Sequence, residues 1–208
     1  MILILGSGVA GLTCALAAAA EGAPVTVVTP GALRVLGSDE ALESSLAGGN
    51  TALAQGGIAA ALGSDDTAEL HAADTVAAGA GIVDAEAASV LTTVGADAVR
   101  ALIADGFPAD RASDGALSLG LEAAHSRRRI VHAGEDRTGA ALHRFLVEQT
   151  LAQVRAGRIE LVEHATALSL LGDAGAVTGA LLEAADGRLS AVRADAVVLA
   201  TGGYSGRV

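Results

Sequence analysis

At 208 residues the chain can bury a sizeable core, as one large domain or two small ones. Its net charge of −11 argues against a nucleic-acid footprint, and the one basic run, Arg127-Arg128-Arg129, is too short to reverse that. Hydrophobic residues make up 51% and aromatics only 1%, so the core must be built from Ala, Val, Leu and Ile, while a single cysteine, Cys14, excludes an internal disulfide and fits a reducing, cytoplasmic setting.

The first eleven residues organise the rest. Met1 to Leu5 is an uncharged apolar run, followed at once by Gly6-Ser7-Gly8-Val9-Ala10-Gly11 and then by the Ala/Leu-rich stretch Leu12 to Ala20. Strand, tight glycine turn, helix is the context that gives G-x-G-x-x-G meaning. Gly6 lets the chain turn off the strand, Gly8 admits a pyrophosphate to the backbone, and Gly11 permits close helix–strand packing, so that a helix N-terminus faces phosphate. No basic segment precedes the apolar run, and its glycines weaken a spanning helix, so neither a signal peptide nor a membrane span is expected here. No later run reads as a span.

Pro24 to Thr29 reads as a second buried strand that completes a βαβ unit. The acidic ribose ligand usual near the end of such a strand is replaced by Thr29-Pro30, which moves the motif away from a plain NAD site. Gly31 to Asn50 shows no apolar period and reads as a mobile loop. Asn50 to Ala61 packs small residues around Gly56-Gly57; backbone held against a flat ligand and an Ala-rich core segment are both compatible with it. Asp66-Thr67-Ala68-Glu69 predicts a capping box, with Asp66 as cap, for a helix ending near Gly79. Asp84 caps a second helix, and a third is expected from about Gly95 to Asp105.

Residues 107 to 121 predict short strands and turns. Glu122 to His132 is the most polar stretch: one carboxylate, two histidines and three arginines, either a site for a dicarboxylate or proton transfer, or a solvated charged loop. His125 and His132 lack helical ligand spacing and no cysteine is near, so no metal site is expected. Thr138 caps a long helix to about Ala156, with Leu142, Phe145, Leu146 and Val154 facing the core. A short strand over 158–163 precedes an antiparallel meander, 165–171, 176–183 and 188–193, with Asp186-Gly187 as a hairpin turn. A last buried strand, Ala196 to Ala200, ends in Thr201-Gly202-Gly203, a second strand–glycine junction aimed at the same nucleotide.

Taken in order, Gly6–Gly11, Asn50-Thr51-Ala52-Leu53-Ala54-Gln55-Gly56-Gly57-Ile58, Asp74-Thr75 with Gly79-Ala80-Gly81-Ile82, His125-Ser126-Arg127-Arg128-Arg129-Ile130-Val131-His132-Ala133 and Leu199-Ala200-Thr201-Gly202-Gly203 resemble the N-terminal part of the L-aspartate oxidase family, within the succinate dehydrogenase/fumarate reductase flavoproteins. The resemblance covers essentially the whole chain. It implies an α/β fold: a Rossmann-like FAD-binding domain with a β-meander over residues 1–208, truncated before the capping domain and the C-terminal helical region. It implies oxidation of L-aspartate to iminoaspartate, with a hydride passed to FAD and oxygen or fumarate as acceptor, for quinolinate and NAD synthesis. A contact with quinolinate synthase in the full-length enzyme follows from the same resemblance.

By resemblance, Gly6, Ser7, Gly8, Val9, Ala10 and Gly11 line the FAD pyrophosphate, and Thr29 and Pro30 border the adenosine. Asn50, Thr51, Ala52, Leu53, Ala54, Gln55, Gly56 and Gly57 run along the flavin, and Thr201 and Gly202 close the nucleotide site. Glu122 matches the acidic residue placed near the substrate amine, where it would favour aspartate over succinate, which has no ammonium to pair with a carboxylate. Relatives that hold FAD covalently carry a histidine at the position of Asn50; asparagine cannot form that bond, so non-covalent FAD is expected. Pro30 replaces a lysine often found in the family, and Leu33 to Gly48 is largely additional. The family's catalytic arginine and substrate-binding histidines lie in the portion not matched here, so no proton-transfer residue is assigned and the 208-residue chain alone is expected to be inactive. A fumarate reductase or succinate oxidase, and a non-catalytic FAD-binding fragment, are the competing readings.

Overall fold

The computed structural model describes residues 1–35, 45–173 and 175–203, with side chains from residue 49 onward in the second segment. The chain divides into two compact units, Met1–Leu53 with Leu142–Val208, and Ala54–Ala141.

The first unit is built on a four-stranded parallel sheet of β1 (Ile2–Leu5), β2 (Val25–Val28), β6 (Ile159–Val162) and β10 (Ala196–Leu199), in the order β10-β1-β2-β6. β1 and β2 are buried almost throughout, as apolar runs in a sheet covered on both faces should be. Alternation along the strands decides what each side chain meets. Leu3, Leu5 and Val28 pack with Ala165, Ala180 and Leu182 of the antiparallel meander β7 (Ala165–Asp173), β8 (Ala176–Ala184) and β9 (Leu189–Arg193). Ile4, Val25, Val27 and Ile159 face the other way, onto Ala15 and Ala19 of α1 (Val9–Ala20) and Val154 of α5 (Thr138–Arg155). The hairpin at Asp186-Gly187 forms as expected, with Gly187 at φ +80° and the Asp186 carboxylate accepting from the Arg188 N–H at 3.0 Å.

The predicted loop over 31–50 lies partly outside the described residues. Its C-terminal end is helical rather than loop: α2 spans Ser45–Leu53, broken at Gly49, which has φ +50°. Thr138 is the first residue of α5 rather than its cap, and its hydroxyl accepts from the Ala133 N–H at 3.3 Å.

The second unit holds α3 (Ala68–Ala78), α4 (Ala85–Ala104) and a small sheet in the order β3-β5-β4, from Ile58–Ala59, Ile130–Val131 and Leu119–Gly120. The helices expected after Asp84 and from about Gly95 are one. α4 runs unbroken through Gly95, with Asp84 capping it by accepting from the Ala87 N–H at 3.0 Å. Glycine in a helix interior costs only about 1 kcal/mol, less than the continuous buried stripe Ala88, Thr92, Ala96 and Val99 returns. By length and composition α4 is apolar enough to cross a membrane, which the residue pattern alone had not suggested. Its buried residues fall on one face at helical spacing, and α3 packs along it.

Arg129 is the largest fully buried side chain among the described residues. Its guanidinium grips Asp66 through two bonds of 2.8 and 2.9 Å and reaches Asp74 at 2.8 Å. Asp66 is therefore not the α3 cap. Thr67 caps it, accepting from the Leu70 N–H at 3.2 Å, because the Asp66 carboxylate is committed to Arg129. Asp74 also accepts from the N–H and the hydroxyl of Ser126, both at 2.8 Å; those two bonds, with Arg129 behind them, hold its carboxyl down to about 2. His71 lies beside this group with its ring 5.6 Å from that of His125. Burial, then the charges of Arg129 and His125, push its pKa down.

Arg129→Met should cost about 3–5 kcal/mol in urea unfolding, because it leaves the fully buried Asp66 carboxylate without its partner. The pH dependence follows from the signs. His71 is neutral in the fold, so stability is complete above its ordinary pKa of 6.5 and declines as pH falls below it. Asp74 adds stability above the ordinary 3.8, lost as pH falls from there to about 2. Urea midpoints from pH 8 to 2 should therefore fall in two steps, and Asp74→Asn should remove the more acidic one.

Candidate functional site

The glycine turn sits where β1 ends, and neighbouring backbone leaves no room for side chains. A Cβ on Gly6, whose φ is +119°, would lie 2.2 Å from the Ala200 carbonyl oxygen just past β10. One on Gly11 would lie 2.0 Å from the Gly6 carbonyl oxygen. The two glycines thus bring α1 hard against the end of the sheet. Ala200 N–H bonds the Leu5 carbonyl at 2.9 Å, which places Thr201 and Gly202 beside the turn; both are exposed, and Gly202 has φ +72°.

Side chains from β2, α2 and α5 reach in to hold this turn. Ser7 is buried, with its hydroxyl 2.8 Å from that of Thr29. Thr29 has no exposed surface, so its hydroxyl ties the turn to the end of β2 rather than facing solvent; Pro30 beside it is exposed. Thr51 of α2 accepts from the Val9 N–H at 3.1 Å, and a Cβ on Gly8 would approach its hydroxyl to 3.2 Å. His143 of α5 lies 3.1 Å from the Ser7 carbonyl oxygen through Nε2 and is absent from the residues singled out by sequence. Burial holds its pKa below the ordinary histidine value, partly offset by the bond to Ser7.

At the α1 N-terminus Leu12 N–H bonds the Gly8 carbonyl, while the N–H groups of Ala10 and Gly11 have no acceptor among the described residues. No acidic residue occupies the first turn. Free donors, a positive dipole end and a glycine-lined surface suit a diphosphate, so the residues present fit the pyrophosphate of a dinucleotide. On the same unit Asn50 is exposed, and Thr51 and Ala52 are half-buried.

In the second unit Ala54 to Gly57 lead into β3. The Ala54 carbonyl accepts from the Gly139 N–H at 2.8 Å; Ala54, Gln55 and Gly56 are exposed. Gly57 is required sterically: at φ +84°, a Cβ would stand 2.5 Å from Ile130 and 2.9 Å from the Val131 carbonyl oxygen. Glu122 is exposed, and its carbonyl accepts from the His125 N–H at 3.3 Å in a turn that the Ser126–Asp74 bonds secure. The polar stretch divides by burial. Arg129 belongs to the interior, while Glu122, Arg127 and Arg128 face solvent.

The comparisons with known proteins agree with this geometry. A family model described as FAD binding domain matches residues 1–208. The L-aspartate oxidase of Streptomyces coelicolor is 46% identical over 97% of this chain and 33% of its own length; that of Caulobacter vibrioides is 47% identical over 98% and 37%. Among solved structures, the Sdh1 complex of Mycobacterium smegmatis superposes with a TM-score of 0.81 at 29% identity, covering 98% of this chain and 34% of that one. An E. coli quinol fumarate reductase gives 0.80 at 28%, over 97% and 32%. The chain spans about a third of the length of the curated relatives it matches. With a βαβ glycine turn whose free donors suit a diphosphate and a match along its entire length, the chain belongs to the FAD binding domain family of flavin oxidoreductases, and its cofactor is FAD.

Proposed function

We propose that this chain is the FAD-binding part of an L-aspartate oxidase, a cytoplasmic enzyme whose iminoaspartate product enters quinolinate and NAD synthesis. The observation that carries this is the gap in identity: 46–47% to the L-aspartate oxidases against 28–29% to the succinate dehydrogenase and fumarate reductase structures. Bound FAD supplies the acceptor for the hydride leaving the substrate, with oxygen or fumarate as the final oxidant. The chain's own residues bind and orient. Ala10 and Gly11 present N–H groups to the diphosphate, and Gly8 gives it backbone to approach. Thr201 and Gly202 border the nucleotide, and Asn50 to Gly57 run along the flavin.

Glu122 is the residue that selects the substrate. Its carboxylate pairs with the ammonium of aspartate, which succinate and fumarate lack. The turn that carries it is held by Ser126 on Asp74, itself backed by Arg129, so the carboxylate is offered from a fixed backbone. Contact with quinolinate synthase, in the longer polypeptide, completes the proposal; it would hand the unstable product on directly.

In the full-length enzyme, Glu122→Gln should raise KM for aspartate about 10- to 100-fold, the loss of one charge-assisted bond. Anaerobic bleaching of the flavin by aspartate and by succinate reads it out. Faster bleaching by succinate in the unsubstituted enzyme would reverse the substrate assignment in favour of a succinate oxidase. Asn50 leaves FAD dissociable, so acid precipitation of the holoprotein should release the yellow colour to the supernatant; colour kept in the pellet would contradict non-covalent binding.

A further inference from the structure

A glycine turn is a poor object to pre-organise. Gly6 and Gly8 carry no side chain with which to hold themselves, and glycine loses more conformational freedom on ordering than any other residue. The turn is kept in its ligand-ready form by groups that reach it from other elements, and each such group lowers the ordering cost of cofactor binding. Thr29 holds the side chain of Ser7 and Thr51 holds the N–H of Val9. The backbone between the two glycines is also held at the Ser7 carbonyl, and there the partner is His143.

From this geometry we infer that His143 is a positioning residue for the FAD pyrophosphate, acting through the Ser7 carbonyl without touching the cofactor. His143 is 7% exposed and lies on a face of α5 with Val147 and Thr150, both 0% exposed, four and seven residues further on. A carbonyl oxygen only accepts, so Nε2 carries the proton and donates it across 3.1 Å. Burial keeps the ring neutral, with a single N–H, and that N–H is spent on Ser7. The bond ties the Gly6-Ser7-Gly8 backbone to α5, so that the peptide groups on either side of Ser7 face the ligand in one orientation. The role rests on FAD as the cofactor and is independent of which substrate is oxidised.

The test is FAD affinity, followed by flavin fluorescence, in proteins altered at position 143. His143→Leu keeps the bulk and removes the donor, and FAD should bind about 5- to 20-fold more weakly, the worth of one buried hydrogen bond. His143→Gln carries an amide N–H that reaches the same carbonyl, and should bind within about threefold of the unsubstituted protein. ADP should weaken in parallel with FAD, since both carry the diphosphate, while riboflavin should not respond. Val147→Ala, from the same buried face, should lower stability with FAD affinity unchanged. If His143→Leu cannot be obtained folded, His143→Asn takes its place: its shorter amide stays polar but falls short of Ser7, and the same weakening is expected. The role is overturned if the Leu or Asn variant binds FAD as tightly as the Gln variant. It is equally overturned if Val147→Ala weakens FAD as much at matched stability. Absence of FAD binding by the unsubstituted protein would overturn the cofactor assignment and this role together.

Discussion

The first unit depends on a steric constraint of a few ångströms: backbone passing backbone at the end of β1. The Gly6 carbonyl occupies the space where a side chain on Gly11 would sit, and the Ala200 carbonyl occupies the corresponding space at Gly6. Because nothing projects at either position, α1 can start directly above the sheet edge and β10 can lie alongside β1 in register, Ile2 against Ala196 through Leu5 against Leu199. The donors left over at the start of α1 are then carried to the C-terminal ends of parallel strands, where α/β folds bind their ligands. Fold and site come from one packing requirement.

Around this turn the protein uses short polar side chains as struts, and the surroundings decide what each one does. Thr29 stands where an acidic ribose ligand is common in dinucleotide folds, yet its hydroxyl is buried against Ser7. Committed to Ser7, that hydroxyl supports the turn from the end of β2. Within the second unit the logic is inverted. Arg129 is wholly buried because two carboxylates meet it with matched geometry, and the pairing fixes a turn whose neighbouring residues, Glu122, Arg127 and Arg128, stay in solvent.

Much of this architecture is legible from residue order. The apolar run Ile2 to Leu5 and the run Val25 to Val28 name buried strands, Asp84 names a helix start, and Asp186-Gly187 names a hairpin, because each is a local preference with a local cause. Where reading failed, a distant partner had overruled the local signal. Asp66 looks like a cap until Arg129, 63 residues away, claims it. Gly95 looks like a break until the stripe from Ala88 to Val99 is seen to be continuous. His143 sits among the apolar residues of α5 with no motif around it, and only its 3.1 Å approach to Ser7, 136 residues away, gives it a task.

The amino-acid sequence by itself determined most of the element types, the dinucleotide turn and the family to which they belong. Those are properties of periodicity, of glycine spacing and of motifs read in order along one chain. Tertiary structure decided which polar groups are interior and which donors remain free. It set the Thr29 hydroxyl against Ser7, divided the Glu122–His132 stretch into a buried cation and an exposed carboxylate, and left Ala10 and Gly11 N–H without acceptors among the described residues. The reason is physical: the energy of a polar group is set by what surrounds it after folding, and residues far apart in the chain supply those surroundings.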